Sequence, residues 1–214
     1  MNLVTVVPEE DPDAVPRWAA DTIIAAGRRM DELGLVRATA GNISVRLDER
    51  TFALTTSGQH KGFLDADGIM GMTLDGAPTT EGRPPAEAGL HAELYRLMPH
   101  VGAIVHGHSV PATVLSMAHR GEQLLLTDYE VLKAFGHRTH ETTIAIPLFD
   151  NAQDIPALVA RIEPTLAGGG AEAGYVLRGH GAYAWGAEMS HALARLEALE
   201  FPFECELEKR RIER

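Results

Sequence analysis

The chain has 214 residues, of which 45% are hydrophobic, and a formal net charge of −11. This composition is typical of a globular protein, and the acidic balance argues against binding to a nucleic-acid backbone, which needs a basic face. The apolar runs are too short to span a membrane, and a single cysteine, Cys205, excludes an internal disulfide. We therefore expect a cytoplasmic protein with one domain over residues 1–214 and neither a membrane nor a nucleic-acid partner.

Hydrophobic periodicity in the first part of the chain predicts a helix followed by a β-hairpin. Residues 13–33 place apolar side chains at helical spacing, and Gly34 is a suitable C-terminal stop. Residues 42–47 alternate apolar and polar side chains, as a half-buried strand does, and residues 52–56 are its expected partner. The segment 55–58 then leaves the hairpin as a loop.

The remaining predicted elements alternate between helices and strands. They are a helix at about 87–98, a strand at 101–109, a helix at 111–118, a short helical segment at 130–135, a strand at 142–146, a helix at 155–166, a closing hairpin of strands 175–178 and 182–185, and a terminal helix at 190–211 with a kink expected at Pro202. Together they predict an α/β domain with a central sheet flanked by helices.

Three histidines are the candidate ligands of a metal ion. His106 and His108 are two residues apart in a predicted strand, so their side chains project from the same face. His180 is the best candidate for a third ligand, because Gly179 and Gly181 on either side permit an unusual backbone and a close approach. Three histidines with an open fourth position are the pattern of a catalytic zinc site.

The same residues also have an ordinary structural explanation. A His-x-His pair can equally be two polar residues at the end of a strand, so the hypothesis of a three-histidine site depends on motifs elsewhere in the chain. The other histidines are assigned surface or hydrogen-bonding positions by default: His60, His91, His100, His119, His137, His140 and His191.

Five short segments, taken in order, resemble the class II aldolase/adducin family over nearly the whole chain. They are Gly41-Asn42-Ile43-Ser44, Thr56-Ser57-Gly58, Pro85-Ala86-Glu87, His106-Gly107-His108-Ser109 and Gly179-His180-Gly181. The resemblance implies a class II aldolase-like fold with a mainly antiparallel sheet. It also implies one zinc ion per subunit on the three histidines, with Glu87 beside the metal and serving catalysis.

Further segments are similar to members of the family that dehydrate a phosphorylated ketose. They are residues 57–62, 129–133, 151–156 and 196–201. This resemblance implies a zinc-dependent lyase of methionine salvage, which removes water from a methylthio-substituted ketose phosphate through an enediolate, with Glu130 as the acid/base. It also implies a homotetramer with sites near subunit boundaries. A sugar-phosphate aldolase or epimerase shares the enediolate and remains an alternative, and a non-catalytic adducin-like binding domain is a third.

The candidate phosphate-binding residues lie in two glycine-containing loops. Backbone amides of Gly41, Asn42, Ser57 and Gly58 can bind an anion, and the Ser57 hydroxyl and the ammonium of Lys61 can add to them. The alternative explanation is that these segments are two ordinary glycine-containing turns with no ligand.

Both candidate carboxylates also have a structural explanation, and the chain departs from the family pattern at two positions. Glu87 suits the positive end of a helix, and Glu130 suits a solvated helix face. Pro85 and Ala86 lack a hydroxyl where phosphate-binding members of the family often have serine.

Overall fold

The computed structural model describes residues 14–213, which form helices on both sides of one sheet. Its helices and strands are α1 (Arg17–Glu32), β1 (Asn42–Arg46), β2 (Thr51–Thr55), β3 (Ile69–Thr73), α2 (Ala88–Leu97), β4 (Ala103–Gly107), α3 (Val110–Ala118), β5 (Gln123–Thr127), β6 (Thr143–Phe149), α4 (Ile155–Ala167), β7 (Tyr175–Leu177), β8 (Gly181–Gly186) and α5 (Met189–Ile212). Short 3-10 helices occupy Lys61–Phe63, Ala66–Gly68 and Glu130–Phe135.

The sheet has eight strands in the order β3-β2-β1-β4-β8-β7-β6-β5. Only the β6–β7 pair is parallel among the described strands, so the predicted α/β fold with a mainly antiparallel sheet is confirmed. The two edge strands, β3 and β5, were not predicted from the sequence. Gly71 interrupts the apolar run of β3, and β5 has three consecutive leucines at 124–126 between Gln123 and Thr127, with Leu125 exposed. Neither strand therefore has the alternation by which a half-buried strand is recognised.

The ends of several predicted elements differ from those in the structure. The predicted start of the first helix at residue 13 lies outside the described residues, and α1 begins at Arg17, directly after Pro16. The predicted strand 101–109 is shorter, so that His106 lies within β4 and His108 follows it. The terminal helix continues through Pro202. No helix among residues 14–213 is both long and apolar enough to cross a bilayer.

Alternate residues of the central strands face two separate apolar cores. Val105 of β4 and Ala184 of β8 belong to the core that also includes residues of α1 and α5. Ile104 and Trp185, on the opposite face, belong to the core that includes residues of α2 and α4. Because a side chain in the wrong register would move to the other core, burial on both faces specifies the pairing of these strands.

Glu200 of α5 is a buried carboxyl whose oxygens have no hydrogen bond of good geometry. Burial raises its pKa to about 7, the Ser109 hydroxyl lowers it, and the charge of Glu204 raises it further. The cavity beside it is also lined by Arg37 and Glu197. The folded protein therefore binds a proton more tightly here than the unfolded chain does, and ionisation of Glu200 opposes folding.

We expect the free energy of unfolding to fall as the pH rises from 4.5, the ordinary pKa of a glutamate side chain, towards the folded-state pKa of about 7. Each pH unit in this window is worth up to about 1.4 kcal/mol. Glu200→Gln should remove this loss, so that the variant gains stability over the parent at pH 8 but not at pH 4.5. Urea unfolding of both metal-free proteins at the two pH values measures the difference. An equal pH dependence in the two proteins would contradict the assignment.

Candidate metal centre

The structure brings together the three histidines that the sequence predicted as ligands. His106 lies in β4, His108 follows that strand, and His180 lies in the turn between β7 and β8. Antiparallel pairing of β4 with β8 places this turn beside the end of β4. One ring nitrogen from each histidine lies within 4.8 Å of those of the other two.

Glycines permit the turn to approach β4 so closely. A Cβ atom on Gly181 would lie 2.1 Å from the carbonyl oxygen of Gly107, a distance that no other residue can accept. Gly179 has a φ of +65°, a left-handed conformation that glycine adopts without strain. The two glycines therefore fix where the imidazole of His180 lies.

Hydrogen bonds determine which nitrogen two of the three rings, those of His106 and His180, can present to a cation. The Nδ1–H of His106 donates to the carbonyl oxygen of Ala182 at 3.0 Å, and the Nδ1–H of His180 donates to Oδ1 of Asn151 at 3.2 Å. In neutral imidazole only one nitrogen carries a proton, so both Nε2 atoms then have free lone pairs. These two lone pairs face each other across 3.4 Å.

This arrangement fits a tetrahedral metal ion. Two ligands at about 2.0–2.1 Å from a tetrahedral zinc ion are about 3.3 Å apart, close to the observed separation. Burial, followed by the repulsion of the neighbouring histidines, lowers the pKa of His106 well below its usual value, and burial lowers that of His108 to about 4. Burial also lowers the pKa of His180, while the charge of Glu87 raises it. The three rings are therefore neutral at pH 7, as ligands must be.

Glu87 lies at the edge of the three-histidine cluster, at the N-terminus of α2. One carboxylate oxygen, Oε1, is 3.5 Å from Nε2 of His180, and the other accepts a hydrogen bond from Nδ2 of Asn42 at 3.2 Å. The next turn of α2 is also tied to β1, because the hydroxyl of Ser44 bonds with Nδ1 of His91 at 2.8 Å. His91 is fully buried and hydrogen-bonded, so of the two default assignments, surface or hydrogen-bonding, it has the second.

Lys61 joins the two loops that were predicted to bind phosphate. Its ammonium is buried and donates to the carbonyl oxygens of Thr39 at 2.9 Å and Gln59 at 2.7 Å. Burial lowers its pKa to about 8, and the charge of Glu87 opposes this effect. An ammonium has three donors, so one remains for a ligand. The amide of Ser57, by contrast, donates to the carbonyl of Arg83.

Glu130 has its contacts elsewhere in the chain. Its carboxylate is 2.5 Å from Nζ of Lys133 and 3.6 Å from Nδ1 of His140, and its side chain is 70% exposed. It lines a cleft with residues of α1 and α5, including Arg29 and Phe201, and none of the three histidines lines that cleft. Within a single chain, Glu87 and not Glu130 is the carboxylate next to the histidine cluster.

Sequence reasoning did not identify Asn151 or Tyr183 as residues of the site. Asn151 lies in one of the segments that carry the family resemblance, which is the only signal the sequence offers for it. Tyr183 stacks on the imidazole of His106, with ring centroids 3.9 Å apart. It falls in a predicted strand of apolar residues, where an aromatic side chain is ordinarily part of the core.

Comparison with known proteins identifies the class. The family model of the class II aldolase and adducin N-terminal domain matches residues 21–207. A solved L-fuculose-1-phosphate aldolase from Thermus thermophilus is 25% identical with a TM-score of 0.74, over 91% of this chain and 95% of that one. The chain therefore belongs to the class II aldolase and adducin family, and the resemblance seen in its motifs is confirmed.

Two relatives carry a more specific name. A protein from Granulibacter bethesdensis named methylthioribulose-1-phosphate dehydratase is 55% identical, over 92% of this chain and 94% of the relative. A protein of the same name from Gluconacetobacter diazotrophicus is also 55% identical, over 92% of this chain and 96% of the relative.

We expect Asn151→Ala to weaken metal binding by about 10-fold, because His180 would lose the acceptor that fixes its ring and tautomer. Asn151→Asp retains an acceptor oxygen and should bind the metal at least as tightly as the parent. Zinc affinity, measured by competition with a chelator, separates the two variants. Equal affinity in the parent and the Ala variant would show that the contact does not orient His180.

Proposed function

We propose that this chain is a methylthioribulose-1-phosphate dehydratase, a metal-dependent hydro-lyase of methionine salvage. The observation that carries the proposal is the convergence of His106, His108 and His180, with the lone pairs of two Nε2 atoms facing one point. Two relatives at 55% identity over nearly their whole length bear this name. We further propose that residues 1–214 act as one domain. We place the protein in the cytoplasm, because its single cysteine, Cys205, cannot form an internal disulfide and a reducing compartment suits such a chain.

The proposed cofactor is one zinc ion per subunit, held by the three histidines. Imidazole nitrogens and a tetrahedral separation between two of them suit zinc, and three protein ligands leave a position open for substrate. A divalent cation at this position supplies Lewis-acid polarisation of the substrate carbonyl and its neighbouring hydroxyl. The side-chain oxygen of Asn151 accepts a hydrogen bond from Nδ1–H of His180, and the carbonyl oxygen of Ala182 accepts one from Nδ1–H of His106. These two bonds hold both rings in position.

The proposed phosphate site is formed by Gly41, Asn42, Gly58, Lys61 and the hydroxyl of Ser57, whose amide already donates to the carbonyl of Arg83. Lys61 supports this assignment in two ways, because it holds both loops together and has one donor left. A charged donor to a phosphate oxygen is stronger than a neutral one, and a buried ammonium is little screened by solvent. The substrate we propose is therefore bound at its phosphate by these loops and at its carbonyl end by the metal centre.

Dehydration requires a proton to leave the third carbon of the ketose and a hydroxyl to leave the fourth. We assign both transfers to Glu130, which takes the carbon-bound proton and returns it to the departing hydroxyl, so that one water is released and the carboxylate is regenerated. Glu87, held by Asn42, orients the substrate beside the metal. Because Glu130 is not beside the histidine cluster of its own chain, we assign it to the site of a neighbouring copy in the proposed homotetramer.

The reaction is tested with purified protein and methylthioribulose 1-phosphate. Dehydration gives a product lighter by one water, whereas an aldolase would cleave the bond between the third and fourth carbons and release an aldehyde. Mass analysis of the products distinguishes these outcomes. His180→Ala should contain less zinc and form no product above a blank, and release of the aldehyde by the parent would replace the dehydratase assignment with an aldolase.

Mixed oligomers test whether Glu130 acts across copies. Glu130→Gln alone should keep its zinc and lose about 10²–10⁴-fold in rate. When subunits with Glu130→Gln and subunits with His180→Ala are co-expressed with different tags, about a quarter of randomly assembled sites pair an intact cluster with an intact Glu130. Activity should return in the purified mixed oligomer. No recovery would mean that both groups must be intact in the same chain.

A further inference from the structure

The imidazole of His106 is the end of a stack of buried aromatic rings. The ring of Tyr183 lies 3.9 Å from that of His106, with 12° between their planes, and Tyr175 lies 4.7 Å from Tyr183 at 18°. All three side chains are fully buried. The stack follows from strand register, because Tyr183 of β8 is paired with His106 of β4 on one side and with Tyr175 of β7 on the other.

The tyrosine hydroxyls do not explain why aromatic rings occupy these positions. Neither hydroxyl has a hydrogen-bond partner among the described residues, although both are buried. Removing such a group costs no protein hydrogen bond, and a buried polar group without a partner is itself destabilising. The part of Tyr183 that contacts His106 is its flat face.

We propose that Tyr183 is a positioning residue that fixes the plane of the His106 imidazole and thereby sets the affinity and geometry of the metal centre. The neighbouring residue, Ala182, fixes the direction of Nδ1 through its carbonyl oxygen. That hydrogen bond alone still permits the ring to tilt about it. The parallel face of Tyr183 removes this freedom, so that the Nε2 lone pair, which lies in the ring plane, points towards Nε2 of His180.

Tyr183 also has aromatic neighbours on its other face and at its edge. Tyr175 covers the side away from His106, and His91 contacts Tyr183 in an edge arrangement with centroids 5.8 Å apart. When His106 binds a cation, its ring becomes more positive, and the electron-rich face of Tyr183 stabilises that form. On this proposal, Tyr183 favours metal binding both by orienting the His106 ring and by stabilising its positive charge.

This inference rests on the histidine cluster being a metal site. Its test compares Tyr183→Phe, which keeps the ring, with Tyr183→Met, which fills similar space without a flat face. Tyr175→Met is the matched control, since it removes a buried ring of the same stack that does not touch His106. Zinc affinity is measured by chelator competition on folded protein, and the absorption spectrum of the Co²⁺-loaded protein reports the coordination geometry.

We expect Tyr183→Met to bind zinc about 10-fold more weakly or worse and to change the Co²⁺ spectrum, as loss of an outer contact to a ligand typically does. Tyr183→Phe and Tyr175→Met should stay within about twofold of the parent and keep its spectrum. If Tyr183→Met does not fold, Tyr183→Leu takes its place.

Unchanged affinity in Tyr183→Met, or an equal loss in Tyr175→Met or Tyr183→Phe, would overturn the role of Tyr183 while leaving the metal site intact. A parent protein that binds no stoichiometric zinc or cobalt would instead overturn the proposed metal centre itself.

Discussion

The antiparallel pairing of β4 with β8 determines where each ligand nitrogen of the cluster lies. It aligns His106 with Tyr183 and Gly107 with Ala182, so one strand supplies both the acceptor and the stacking ring for a ligand on the next. A shift by one residue would move His106 to the opposite face of the sheet. The two apolar cores on either side of these strands oppose such a shift, and the packing of the fold therefore holds the candidate metal ligands in place.

A second constraint is the buried ammonium of Lys61 in a chain with a net charge of −11. Removing an ammonium from water is costly unless it is hydrogen-bonded, and two backbone carbonyls meet part of that requirement here. The carboxylate of Glu87 lies close enough to raise the pKa of Lys61 and so favours its charged form. The overall acidity of the protein therefore coexists with a local positive centre beside the candidate metal site.

Much of this arrangement can be predicted from the sequence, for reasons that differ between residues. The His-x-His pair and the glycines around His180 are local signals, and the structure brings these three histidines together. The hairpin of β1 and β2 is also local, because alternation and a short turn specify it. The bond from His180 to Asn151 joins residues 29 positions apart. The stacking of Tyr183 on His106 depends on the register of three strands, and hydrophobic periodicity does not encode register. For these reasons the sequence alone predicts neither the bond to Asn151 nor the stacked ring.

Glu87 and Glu130 differ in whether the fold of a single chain places them beside the histidine cluster. Glu87 is held at the cluster by Asn42, which lies on the strand next to β4. Glu130 is exposed in a 3-10 helix and its carboxylate lies beside Lys133 and His140, so no contact within residues 14–213 directs it towards the histidine cluster. On our proposal the fold of one chain supplies the metal and the phosphate site, and the contact between copies supplies the acid/base. Family members that share the fold can then differ in reaction through the residue that a second copy presents, since fold alone does not fix chemistry.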